Sequence, residues 1–216
     1  MTRSQPAVGL SYLHDPAAIY RHSFATIERE ADLSRFDGAM RDVAIRMIHA
    51  CGMVDLADDI VFSHDAGRIG QEALQSGAAI FCDAEMVRQG IIASRLPGNN
   101  RIVSLIADPA VACLARQRET TRSAAQVDLW GDDIAGAVIV IGNAPTALFR
   151  LLERLEGGAP EPALILACPV GFVGAQESKA ALVANLHGLP FITVAGRRGG
   201  SAIAAAALNA MAGRGP

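Results

Sequence analysis

Six short runs rich in β-branched and aliphatic residues are spaced along the chain, and longer stretches of helical period separate them. The runs are Ile60-Val61-Phe62, Ala79-Ile80-Phe81-Cys82, Ile102-Val103-Ser104-Leu105-Ile106, Val138-Ile139-Val140-Ile141, Ala163-Leu164-Ile165-Leu166 and Phe191-Ile192-Thr193-Val194. Thr146 to Leu155 and Ser178 to Leu186 are two of the helical stretches between them. Strands that alternate with helices pair in parallel, because each helical return crosses a face of the sheet. The pattern predicts an α/β fold of Rossmann-like type, a mainly parallel sheet flanked by helices on both faces. Two helical patterns come first. One runs from about Asp15, which can cap the helix with Pro16 at its first position, to about Ala31; the other runs from Asp37 to Cys51 and stops at Gly52.

A chain of 216 residues that is 51% hydrophobic and 19% charged has room for one sizeable core, so residues 1–216 are read as a single domain. No internal repeat or linker divides it, and the tail from Ala212 to Pro216 is expected to fray. A net charge of −3 provides no basic field, which argues against nucleic acid as a partner. Any polyanionic ligand would have to be held by local groups such as helix N-termini and single arginines. Cys51, Cys82, Cys113 and Cys168 form no C-x-x-C pair and are expected to be reduced thiols, mostly buried. There is no apolar core between Met1 and Asp15 of the signal-peptide kind, and no stretch of about 18 uncharged apolar residues. A cytoplasmic protein without a membrane partner is the expectation.

In open parallel sheets, ligands bind beyond the carboxyl ends of the strands, where turns present backbone N–H groups. Three such turns here are rich in small residues: Gly142-Asn143-Ala144-Pro145-Thr146, the segment from Pro169 through Gly171 and Phe172 to Gly174, and Gly196 with Gly199-Gly200-Ser201. Each opens a helix and is a candidate seat for a carboxylate or phosphate. Glycine that simply permits a tight turn is the competing reading.

On a 3.6-residue wheel of the second helix, Met40, Val43, Ala44, Met47 and Cys51 form an apolar stripe, while Asp42, Ile45, Arg46 and His49 fall opposite. His49 is therefore a surface histidine or a site histidine, and Arg46, one turn earlier, can offer a fork to a carboxylate. His14, His22 and His187 carry weaker signals, the last near a helix end. His64 begins His64-Asp65-Ala66-Gly67, part of a cobalamin-binding D-x-H-x-x-G pattern, but Phe62 stands where that pattern needs aspartate. Asp83 and Glu85 follow a strand, where Asp83 either caps a helix or meets a ligand. Arg122, Ser123 and Lys179 are further candidate contacts for negative groups. The chain lacks G-x-G-x-x-G in its first βα unit, G-x-x-x-x-G-K-[ST], H-E-x-x-H and G-x-S-x-G, so dehydrogenase, P-loop, zinc-protease and α/β-hydrolase readings lose support.

Taken together from about Tyr12 to Leu208, the segments resemble the precorrin-8X methylmutase family. The resemblance rests on Tyr20 to Phe24, Asp32-Leu33-Ser34-Arg35-Phe36, Arg46-Met47-Ile48-His49-Ala50-Cys51-Gly52, Thr121-Arg122-Ser123-Ala124-Ala125, Gly142 to Leu148, Pro169 to Lys179, and Arg198-Gly199-Gly200-Ser201-Ala202. It implies a homodimeric α/β isomerase with active sites near the subunit interface and no dissociable cofactor or metal. The implied reaction moves a methyl group from ring carbon eleven to ring carbon twelve of precorrin-8X, giving hydrogenobyrinate. The resemblance places the family's catalytic histidine at His49 and its substrate contacts at Ser23 and Arg46. Arg122, Ser123, Asn143, Thr146, Gly171, Phe172, Gly200 and Ser201 are the further candidate contacts for the acetate and propionate groups of the ring. Ala84 is smaller than the side chain expected in this family's pocket region.

A sigmatropic methyl shift needs no covalent nucleophile, only a ring held in reactive geometry and a proton correctly placed. Imidazole, with an ordinary pKa of about 6.5, suits that proton transfer, an effect typically worth ~10² to 10⁴ in rate. Three alternatives stay open: a corrinoid carrier in which His49 coordinates cobalt, a methyltransferase using S-adenosylmethionine, and a mutase acting on the cobalt-containing precursor.

Overall fold

The Asp15 carboxylate accepts hydrogen bonds from the backbone N–H groups of Ala17 and Ala18 and, with Pro16 at the first helical position, starts α1 (Pro16–Glu30). The next helix, α2 (Gly38–Cys51), stops where Gly52 adopts φ +69°, a left-handed cap that a side chain would strain. Both helices match the expectation. The computed structural model of the chain describes residues 11–184 and 188–213. Leu186, where a helix was expected to end, His187, and residues 214–216 of the tail lie outside the described residues.

Then follow α3 (Leu56–Asp59), β1 (Ile60–Phe62), α4 (Ala66–Gln75), β2 (Ile80–Cys82), α5 (Glu85–Gly90), β3 (Ile102–Val103) and α6 (Pro109–Gln117). The second half contains α7 (Arg122–Leu129), β4 (Val138–Ile141), α8 (Pro145–Glu156), β5 (Leu164–Ala167), α9 (Ala175–Ala184), β6 (Phe191–Val194) and α10 (Ser201–Ala212). The strands form one sheet in the order β1-β6-β5-β4-β2-β3. All neighbours pair in parallel except β1, which runs antiparallel to β6. β3 ends three residues early, and the Leu105 N–H donates to the Gln126 Oε1 at 3.2 Å instead of to a strand.

Alternation along each strand sends side chains to two separate cores. Ile80, Val138, Val140, Leu164, Leu166 and Ile192 pack with residues of α2, α4 and α10. Phe81, Ile139, Ile141, Ile165 and Ala167 pack on the other face with Trp130, Leu148, Leu151 and Leu182. Helices therefore cover both faces, as the uninterrupted apolar strands require.

α2 departs from the wheel reading at one position. Ile45, expected on the polar face, is buried, because α1 and α10 both pack against α2 and bring Tyr20, Phe24 and Ala210 around it. His49 is exposed as expected, and Asp42 and Arg46 are half-buried.

Two features of the topology locate a site. The strand order reverses between β2 and β4, and in open α/β sheets the carboxyl ends of the strands flanking such a reversal are where ligands bind. The antiparallel β1 enters the sheet with Ile60 beside Val194, which sets residues 52–59 over the carboxyl end of β6. The end of α2, with His49, is thereby delivered to the same edge as the glycine-rich turns.

Candidate active site

At the end of α2, His49 and Ser23 line one cleft of about 500 Å³ together with His22, Thr26, Ile27, Ile48, Gly52 and Val54. Tyr20 and Phe24 lie four residues apart on α1, which sets their rings on one helix face, 4.2 Å apart between centroids. The His49 ring meets Phe24 edge-on at 5.3 Å and Tyr20 at 5.7 Å. The Arg46 guanidinium lies 5.3 Å from the Tyr20 centroid and 5.5 Å from that of Phe24, a cation–π arrangement that orients the fork. Arg46 lines an adjoining cleft of about 230 Å³ with Glu28 and Asp42. The aromatic pair thus fixes both expected residues of α2, a role that sequence reasoning did not give it although the i, i+4 spacing on an amphipathic helix pointed to a shared face.

The other candidate contacts fall in two groups along the strand ends. Thr121 caps α7, its Oγ1 accepting from the Ala124 N–H, and shares a 2.8 Å hydrogen bond with the Thr146 Oγ1. That bond brings the α7 start, with Arg122 and Ser123, beside the α8 start, with Asn143 and Thr146. The second group joins the β5–α9 and β6–α10 turns: the Gly171 N–H donates to the Arg197 carbonyl at 3.3 Å and the Gly200 N–H to the Cys168 carbonyl at 2.8 Å. Phe172 is 86% exposed, with the Arg197 guanidinium 5.5 Å from its centroid. Gly199, at φ +155°, has no room for a side chain, since a Cβ there would stand 2.2 Å from the Cys168 carbonyl oxygen. Arg198 joins this group to the His49 cleft by a 2.6 Å ion pair with Asp55, one residue beyond Val54.

One of the three candidate anion seats is corrected by the structure. Asp83 is fully buried at the end of β2, and its carboxylate accepts from the backbone N–H groups of Gly142 at 2.9 Å, Asn143 at 3.0 Å and Ala144 at 2.7 Å. The amides of the β4–α8 turn are therefore taken by the protein's own carboxylate, and that turn offers a ligand only side chains such as those of Asn143 and Thr146, both exposed. Burial pushes the Asp83 carboxyl upward, and the three N–H groups oppose that shift. Asp83 does not cap the helix that follows it; Ala84 holds that position and is itself buried in the core. Glu85 pairs with Arg88 at 2.5 Å, which with Gln89 holds its carboxyl below the usual range.

Lys179, read as a possible surface contact, is 1% exposed, and its Nζ donates to the Arg198 carbonyl at 2.6 Å. Burial lowers its pKa to about 8, while Cys168 and Asp59 work in the opposite direction. Cys168 is buried and pushed up to about 12, so it stays a neutral thiol. Cys82 is buried too, Cys51 partly, and Cys113 is exposed. His64 sits beside Asp65 at 3.6 Å with its side chain open to solvent, and His14 and His22 are exposed. Among the described residues, no helix is long and apolar enough to cross a membrane.

Fold and site together define a doubly wound α/β protein with glycine-rich turns at the carboxyl edge of its sheet and a histidine cleft tied to them through Arg198 and Asp55. The chain belongs to the precorrin-8X methylmutase family, whose model matches residues 18–213. It is 54% identical over 203 residues to the Precorrin-8X methylmutase of Pseudomonas aeruginosa, covering 94% of this chain and 98% of that one. The Cobalt-precorrin-8 methylmutase of Priestia megaterium is 35% identical over 197 residues, 91% of this chain and 87% of the relative. A crystal structure of precorrin-8X methyl mutase from Thermus thermophilus superposes with a TM-score of 0.81 at 38% identity, over 90% of this chain and 96% of that one.

Proposed function

We propose that this chain is an isomerase of cobalamin biosynthesis that shifts a methyl group from ring carbon eleven to ring carbon twelve of precorrin-8X, giving hydrogenobyrinate. The observation that carries this reading is the 54% identity, over nearly the whole length of both chains, to a relative named for that substrate. The relative named for the cobalt-containing compound is more distant, at 35%, which favours the metal-free ring.

The reaction breaks one carbon–carbon bond and forms another within a single molecule, so the protein has to bind, orient and manage one proton. His49, exposed in a cleft and braced by Phe24 and Tyr20, is the acid/base that moves a ring proton. Ser23, across the same cleft, and the stacked fork of Arg46 hold peripheral carboxylates. Arg122, Ser123, Asn143, Thr146, Phe172 and Ser201 supply further contacts along the strand ends, while Gly171 and Gly200, whose N–H groups donate to the Arg197 and Cys168 carbonyls, shape the turns that carry them. Two copies of the chain pair to complete the sites, a reading supported by the exposed apolar loop at Phe172 and Val173, 86% and 89% open.

Catalytic amounts of the protein incubated with precorrin-8X and, separately, with its cobalt-containing counterpart test the reading. Repeated conversion of the metal-free compound to the orange hydrogenobyrinate chromophore supports it. Binding without turnover points to a carrier, and turnover of the cobalt compound alone overturns the substrate assignment.

A further inference from the structure

We infer that Lys179 is a positioning residue for this reaction: from beneath the carboxyl edge of the sheet it holds the Arg198 carbonyl, and with it the 196–200 turn, in the shape that presents Ser201 to a substrate carboxylate. The inference rests on the functional reading above.

The turn is fastened from several sides. Gly199 is pressed against the Cys168 and Pro169 carbonyls, and the Gly200 N–H donates to Cys168. The Arg198 guanidinium pairs with Asp55 at 2.6 Å and with Asp59 at 3.5 Å, so its charge is largely spent within the protein. A further hold is the 2.6 Å bond from Lys179, which reaches the turn from α9. Burying an ammonium is costly, and a neutral amide would serve merely to satisfy one carbonyl. A buried positive charge adds something an amide does not: it favours a carboxylate arriving on the other side of the turn, in a chain whose net charge is −3.

The groups facing the ammonium are the Cys168 thiol from the end of β5, the Asp59 carboxylate from α3 and the Arg198 carbonyl from the β6–α10 turn. Cys168 is neutral near physiological pH, so among the described residues the charged group facing the ammonium is Asp59, which is shared with Arg198. With its pKa lowered by burial to about 8, Lys179 loses its charge just above neutrality. Substrate binding should weaken as pH rises through that value.

The test compares the parent with Lys179→Met, which keeps the volume but removes donor and charge, and Lys179→Gln, which keeps an N–H donor without charge. Hydrogenobyrinate affinity is measured by absorbance titration, kcat and KM with precorrin-8X, both from pH 6.5 to 9, and cooperative unfolding confirms the fold. For Lys179→Met the expected result is roughly a tenfold rise in Kd and KM with kcat within about threefold of the parent. Lys179→Gln should recover part of that loss, and the parent's rise in KM above pH ~8 should be absent from both variants. A Met variant with the parent's Kd and KM, or one that loses kcat at unchanged KM, overturns the inference. Should Lys179→Met fail to fold, a Gln variant with the parent's pH profile overturns it equally. A parent that neither converts precorrin-8X nor binds hydrogenobyrinate overturns the functional reading and this inference with it, whereas an active parent beside an indistinguishable Met variant overturns this inference alone.

Discussion

The carboxylate of Asp83, at the end of β2, accepts a 2.7 Å hydrogen bond from the backbone N–H of Ala144, at the start of α8. With the bonds from Gly142 and Asn143, it closes the point where the strand order reverses, sixty residues away in sequence. Asp83→Ala would leave three N–H groups without their acceptor, two of them on buried residues, each worth roughly 1–3 kcal/mol. A stability loss of about 3 kcal/mol or more is expected in denaturant titration. Asp83→Asn, which turns an amide nitrogen toward donors, should recover less than half of it. A loss below about 1 kcal/mol for Asp83→Ala would contradict this role.

Gly199→Ala tests the close approach of the two turns. The added methyl would overlap the Cys168 carbonyl oxygen at 2.2 Å in a backbone region that side chains rarely adopt. The turn would have to move, costing on the order of 2 kcal/mol in stability. It should also weaken hydrogenobyrinate binding, because Gly200 and Ser201 move with the turn. Gly200 is a useful contrast, since nothing lies within 4 Å of a Cβ there, although its φ of +126° is still strained for alanine.

Lys179 also leaves a signature in stability. Its folded pKa, about 8, lies below the ordinary value of 10.5, so the unfolded chain binds the extra proton between those values. Folding stability attributable to this residue therefore rises as pH increases from about 8 to 10.5, and is flat below. Thermal unfolding of the parent relative to Lys179→Met should show that rise. A parallel pair of curves would show that the lysine is not desolvated.

Arg46→Lys separates charge from shape. Lysine keeps the charge but loses the planar fork held over Tyr20 and Phe24. Stability should fall by about 0.5–1 kcal/mol, and KM for precorrin-8X should rise more than kcat falls. Equal KM values in the two proteins would remove Arg46 from carboxylate binding.

The parts of the fold that were legible in sequence are those set by local chemistry. Asp15-Pro16 starts α1, Gly52 stops α2, and apolar runs as short and uninterrupted as Val138 to Ile141, alternating with helical stretches, read as strands covered on both faces. The direction of β1 was not legible, because Ile60-Val61-Phe62 reads the same whichever way it pairs. Ile45 misled for a related reason: a wheel assumes one packed face, whereas α2 is covered by α1 and α10 as well as by the core side. Asp83 and Lys179 stand out in the sequence as charged residues in candidate contact segments, but their partners, the amides of 142–144 and the Arg198 carbonyl, come from distant segments. Periodicity placed Arg46 and His49 on one side of α2, and it could not show that Tyr20 and Phe24 of another helix would brace them both.

Single-turnover conversion of precorrin-8X by the parent and by His49→Ala, each saturated with substrate and followed by the visible spectrum, bears most directly on the acid/base assignment. The expected result is retained binding of the ring with a rate lowered by ~10² to 10⁴, the range for loss of a general acid or base. A variant that converts the bound ring as fast as the parent would leave the isomerase intact and remove His49 from its mechanism.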